Sequence, residues 1–262
     1  MFYLIIECSQ HLEKYSAKEV EKGEPLECRE LTARFMTDVI GSCAFGIEMN
    51  ALADERSEFR QKGREFFDTS SFENVFRNKT KQLFPKLYDL LGYIIPDRKF
   101  APFFTKVITD TIMYRQENDI VRPDFINMLM ELKAHPEKLN NIELTDSLLT
   151  AQAFVFFAAG FETSSTTISN ALYELAVNQE IQNKLREEII EYCSKDKGEL
   201  KYETVKEMEY LDKVFKETLR MYPPVPVLFR NALSNYTFDG TKVSIPKGTK
   251  NLDPSVCLAS KF

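Results

Sequence analysis

Phe154-Val155-Phe156-Phe157-Ala158-Ala159-Gly160-Phe161-Glu162-Thr163-Ser164-Ser165-Thr166-Thr167 is the stretch on which the reading of this chain turns. It begins as an apolar run suited to a buried helix, then sets Gly160, Glu162 and Thr163 on nearly successive positions. A small residue, an acid and a hydroxyl inside such a helix lower its propensity and raise the cost of burial. That cost marks a place where a helix opens for a ligand and moves protons. Gly160 has no Cβ, so a flat ligand can approach the backbone. Thr163 can bond back to a carbonyl one turn earlier, which loosens the ladder and predicts a helix widened or kinked at Ala159 to Thr163. Glu162 can feed protons toward the resulting notch. Taken alone, the same letters also fit a plain buried helix with a packing glycine, and alone that is the better reading.

A second cluster, Lys216-Glu217-Thr218-Leu219-Arg220, lies downstream and runs into Tyr222-Pro223-Pro224-Val225-Pro226-Val227-Leu228-Phe229-Arg230. Glu217 and Arg220 are three apart and share a helix face. In isolation they would be an ordinary surface pair of little energetic weight. The paired prolines end the helix and send an extended apolar strand away. Such a strand can line a cavity, with Arg230 available to a carboxylate. The two clusters in this order are far more specific than either one.

The composition sets bounds around them. With 262 residues the chain can bury a substantial core, and its 9 glycines against 21 phenylalanines favour long helices over a turn-rich β fold. A net charge of −6 gives no reason to expect nucleic acid as a partner. Five widely spaced cysteines, with no Cys-x-x-Cys pair, read as reduced thiols and not as a disulfide framework or a zinc site. The apolar opening Met1 to Ile6 stops at Glu7, far short of the ~20 residues of a membrane span. It lacks the basic region and cleavage site of a signal peptide.

Hydrophobic spacing predicts helices over Met1–Lys22, Leu26–Phe45 with Gly46 as a stop, Glu55–Phe72, Asn74–Leu91, Lys99–Asn118 and Phe125–Lys133. Thr145 supplies a hydroxyl cap for a long helix from Asp146 to Asn178, on the order of 50 Å at 1.5 Å per residue. Further helices are expected over Gln179–Cys193 and Tyr202–Met221. Short strands follow at Val225–Phe229, Tyr236–Phe238 and Lys242–Ile245, with Asp239-Gly240 as a hairpin turn. No linker separates domains.

At this point the chain resembles the cytochrome P450 monooxygenases, and within them the insect microsomal branch associated with detoxification. The likeness rests on the two clusters above together with Asp38-Val39-Ile40-Gly41-Ser42-Cys43-Ala44-Phe45-Gly46 and Arg122-Pro123-Asp124-Phe125. It runs from about residue 7 to 250, so 1–262 is expected to be one partial cytochrome P450 domain, mainly α with a small β hairpin or sheet near the C-terminus. The resemblance implies a haem-thiolate enzyme that inserts one oxygen atom from O2 into an apolar small molecule, a xenobiotic or an endogenous lipid-like compound. It implies Thr163 and Glu162 as proton-relay residues, Ala159, Gly160 and Arg230 as haem contacts, and Glu217 with Arg220 as a structural pair beneath the haem. Phe154, Phe157, Ala158, Phe161, Val225, Val227 and Leu228 match substrate-pocket positions. NADPH–cytochrome P450 reductase is the implied partner, at the cytosolic face of the endoplasmic reticulum membrane.

The chain departs from that pattern after Lys250. The family's Phe-Gly-Gly-Arg-Cys-Gly loop is not recognisable in residues 251–262, and Cys257 has neither the glycines nor the arginine of an iron-ligating cysteine. The chain is therefore expected to be incomplete, without membrane anchor or axial cysteine, and inactive by itself. The alternative is a truncated or alternatively spliced product that never ligates iron.

Overall fold

The computed structural model describes residues 1–254 apart from 24, 55, 56, 68–74, 77, 78, 81–83, 85–87, 89–100, 140, 141, 196, 197 and 226. The expected helix over Asn74–Leu91 lies largely outside these residues, and Cys257 lies wholly outside them. Two compact units divide the chain, Met1–Ser165 and Thr166–Phe262, and the division falls inside the longest helix.

The first unit begins with α1 (Phe2–Glu21), whose buried Leu4 and Cys8 sit four apart on one face. They pack with Leu31, Phe35, Val39, Cys43 and Leu52. Helix α2 (Cys28–Ile40) is capped by the Glu27 carboxylate, which accepts from the backbone N–H groups of Arg29 and Glu30. A π-turn, Gly41–Phe45, continues it and ends at Gly46 in the left-handed region. Three more helices follow: α3 (Glu58–Phe67), α4 (Ala101–Glu117) and α5 (Phe125–Ala134). Next comes α6 (Asp146–Val177), whose Leu148 N–H is taken by the Thr145 hydroxyl as the sequence predicts.

An aromatic core joins these pieces. Phe45, Phe59, Phe104, Phe157 and Phe161 are all buried in it, and the rings of Phe157 and Phe161 stack at 5.7 Å. Next to it lies a buried ion pair. Arg115 of α4 donates to both carboxylate oxygens of Asp124, at 2.9 and 2.5 Å, and to the carbonyl of Phe45. Asp124 Oδ1 also accepts from the Asn127 N–H and caps α5, so one carboxylate joins α4 to α5 and, through Arg115, to the π-turn.

In the second unit, α7 (Gln179–Lys195) is followed by two helices where the sequence predicts one: α8 (Tyr202–Glu207) and α9 (Glu209–Met221). The break is at buried Met208, which is extended (ψ 92°). Its cause lies on α7: the Glu188 carboxylate accepts from the N–H groups of Tyr210 and Leu211 at 2.8 and 2.9 Å. A charged cap on those donors starts a new helix there. Tyr222 donates to Glu174 at 2.5 Å and joins the end of α9 to α6 within this unit.

The chain ends in two small antiparallel sheets. Strands β2 (Tyr236–Thr237) and β3 (Ser244–Ile245) form the expected hairpin around Gly240. Strand β1 runs Val227–Asn231, two residues later than predicted: the predicted span contains Pro226, which has no N–H to give to a ladder. It pairs with β4 (Lys250–Pro254), a strand the sequence does not announce.

Candidate functional site

The motif on α6 presents its residues in three directions. Phe161 points into the aromatic core, Glu162 and Thr163 are half-buried, and Ala159 is exposed. The Thr163 hydroxyl does bond back to the Ala159 carbonyl, at 2.6 Å, and the Ser165 hydroxyl to that of Glu162, at 3.2 Å. The helix nevertheless stays α-helical from Asp146 to Val177, so the widened turn predicted at Ala159 to Thr163 is not formed. A hydroxyl that shares a carbonyl already held in the ladder need not displace the backbone N–H.

Gly160 also differs from its predicted use. A Cβ added there would lie 3.0 Å from Ile40 Cδ1, so the missing methyl makes room for α2, not for a flat ligand. The same helix supplies the partner of Glu162: Arg29 Nη2 donates to Glu162 Oε1. Sequence gives no signal for this pair, whose members stand 133 residues apart. Buried Thr32 fastens the two helices, its hydroxyl donating to the Ser165 carbonyl at 3.0 Å.

Glu162 lines a cleft of about 570 Å³ with Arg29, Glu30, Arg60, Arg64 and Phe67. Arg60 donates to Glu30 at 2.6 and 3.3 Å and lies 5.3 Å from the centre of the Phe161 ring. Burial alone would raise the Glu30 carboxyl, but hydrogen bonds from Arg60 and Arg34 outweigh it and hold it below its ordinary range. The cleft is thus mainly charged. Phe157 and Phe161, expected to line a substrate pocket, are core residues here, and Phe154 packs on the same core through Phe66 of α3 and Phe104 of α4, because the spacing of three and four serves the seam between α6, α3 and α4. Ala158 is half-buried.

In the second unit, Glu217 and Arg220 make the expected contact. Arg220 donates to both oxygens of Glu217, at 2.7 and 2.6 Å, and holds that carboxyl below its usual range. A structural pair beneath a haem is expected to be buried, but the Glu217 and Arg220 side chains are 55% and 37% exposed. Thr218 takes the buried face of α9, which turns its neighbour Glu217 outward. Arg230 is exposed on β1 opposite Asn251, Val225 and Leu228 are exposed, and Val227 is half-buried.

Over residues 1–252 the sequence matches the family model for cytochrome P450. The chain belongs to the cytochrome P450 family. It is 41% identical to "Probable cytochrome P450 6a21" of Drosophila melanogaster, across 97% of this chain and 51% of that protein. Identity is 38% to "Cytochrome P450 6k1" of Blattella germanica, across 95% and 50%, and 39% to "Cytochrome P450 6A1" of Musca domestica, also across 95% and 50%. The chain therefore spans about half the length of the curated relatives it matches. Among the described residues no helix is long and apolar enough to cross a membrane.

The family implies haem, and the residues present fit it on one side. Exposed Ala159 with half-buried Ala158 and Thr163 makes a strip of small side chains that leaves room for a flat group against α6. The axial thiolate is another matter. Burial pushes the Cys8 thiol up to about 11, helped by the charge of Asp38, and burial likewise raises Cys43. A thiol raised in this way resists forming the thiolate that iron requires. Cys28 and Cys193 are half-buried, and Cys257 lies outside the described residues.

Proposed function

We propose that this chain supplies the oxygen-activating helix of a haem monooxygenase that inserts one oxygen atom from O2 into an apolar small molecule. The observation that carries the reading is the arrangement on α6: the Thr163 hydroxyl is anchored on the Ala159 carbonyl, beside exposed Ala159 and one residue from Glu162. Haem, when bound, supplies the activation of O2 with electrons that start on NADPH. The chain's own part is to position and protonate. Ala159 and Ala158 leave space for the flat group, and in the second unit Arg230 keeps the charge that the family uses toward a propionate. Thr163, fixed through its own donated proton, keeps lone pairs for a water or a second donor. Glu162 refills that donor from solvent. Glu217 and Arg220 hold the end of α9 together as a structural pair.

The family further suggests NADPH–cytochrome P450 reductase as the electron donor and the cytosolic face of the endoplasmic reticulum as the location. Of the expected substrate-wall positions on α6, Ala158 stays off the core, and its apolar side chain suits an apolar guest.

Titration of the purified chain with haem tests the reading. Uptake without the ferrous carbon monoxide band of a cysteine thiolate is the expected result. A thiolate band that disappears in Cys257→Ala would show that the chain completes its own iron site and would overturn the expectation that it is inactive alone. No uptake would overturn the proposal for this chain.

A further inference from the structure

We propose that Arg29 is a positioning residue for Glu162, holding its carboxylate on the water-open side of α6 so that the proton it passes on is replaced from the polar cleft. The inference rests on the reading of Glu162 as the proton source.

Successive residues of an α-helix point about 100° apart, so Glu162 and its neighbour Thr163 do not face the same way. Thr163 turns back to the Ala159 carbonyl, whereas the Glu162 carboxylate goes to the α2 side and meets the Arg29 guanidinium. A glutamate side chain has several rotamers, and a cation at one of them decides where the carboxylate spends its time.

Arg29 is itself well placed to make that choice. The Glu27 carboxylate takes its backbone N–H at 3.2 Å, and one turn along α2 the Thr32 hydroxyl bonds the Ser165 carbonyl on α6. Ile40 against Gly160 fixes the other end of the same crossing. Arg60 on the cleft is committed to Glu30 and Glu65 is paired with Lys62, while Arg64 is a further cation on the same cleft and Arg29 is in contact with Glu162. The pair is exposed, with 61% of the Arg29 side chain and 28% of the Glu162 side chain accessible. An exposed pair adds little to stability. Its value is orientation at a wet surface: Glu162 gives a proton toward Thr163 and regains one from cleft water, returning to its starting state.

Carbodiimide-driven amide labelling of carboxylates on the purified 262-residue chain, read peptide by peptide, measures this directly. In Arg29→Ala, Glu162 should label faster by about two- to fivefold, the population change an exposed ion pair can impose. Glu137 and Glu203, remote from the cleft in sequence, serve as internal references and should not change. Arg29→Lys, which keeps the charge, should return Glu162 toward the wild-type rate, a rescue that a purely structural role would not produce. Unchanged Glu162 labelling in a folded Arg29→Ala chain, repeated in Arg29→Gln, overturns the proposal. A separate result bears on the reading beneath it. If, in an active enzyme that carries this segment, Glu162→Gln leaves the solvent isotope effect of turnover unchanged, Glu162 is not the proton source, even where labelling of the 262-residue chain shows that Arg29 holds it.

Discussion

Replacing Gly46 with alanine should be among the most damaging single-methyl changes available to the first unit. Gly46 has φ +64°, and its would-be Cβ collides with Arg115 Nη2 and comes within 2.6 Å of Asp124 Oδ2. Left-handed backbone costs a non-glycine residue about 1–2 kcal/mol. The larger effect is on the ion pair that the methyl displaces. Asp124 is fully buried and Arg115 is 4% exposed, so parting them leaves charges without water. Breaking a buried pair costs about 3–5 kcal/mol, which puts Gly46→Ala at roughly 4–7 kcal/mol. Gly23→Ala is the matched control: φ is +71° there, but nothing lies within 4 Å of the new Cβ, so only the backbone cost applies. Urea unfolding followed by circular dichroism compares the two. If Gly46→Ala proves no more destabilising than Gly23→Ala, the buried pair does not have the role assigned to it.

Two further outcomes follow from the titrating groups. Glu30 is held below its ordinary value of 4.5, so its contribution is present above that pH and is lost as pH falls through the folded-state value. Glu30→Gln should therefore flatten the acid side of the melting-temperature profile below about pH 4.5, and an unchanged profile would count against the Arg60–Glu30–Arg34 cluster. In the native chain at mildly alkaline pH, Cys8 (raised to about 11) and Cys43 should alkylate far more slowly than half-buried Cys28 and Cys193. Mass spectrometry of timed samples reads this, and equal rates would contradict the burial described for α1 and the π-turn.

Features set by nearby sequence were the legible ones. Helical spacing placed α1, α2 and α6 to within a few residues, Thr145 announced its cap, and Glu217 and Arg220 meet because three residues make most of a turn. What sequence hid was set at long range. Met208 is a good helix former, and the break there comes from a carboxylate on α7. Strand β4 has no alternating pattern, and its pairing comes from the open edge of β1. Arg29 and Arg60 look like ordinary surface charges until the fold brings them to Glu162 and Glu30. Phe157 and Phe161 matched pocket positions, yet the same apolar character serves the core.

If the small-residue strip on α6 faces the haem, a large side chain at Ala159 must block it, and Ala159→Trp supplies one. Ala159 is exposed, so the bulky ring should leave the melting temperature unchanged while filling the space assigned to the flat group. The measurement is haem uptake by the wild-type and Ala159→Trp chains, followed by haem absorbance on titration. The wild type should take up haem and Ala159→Trp should not; equal uptake by the two folded chains would show that the strip does not face the haem.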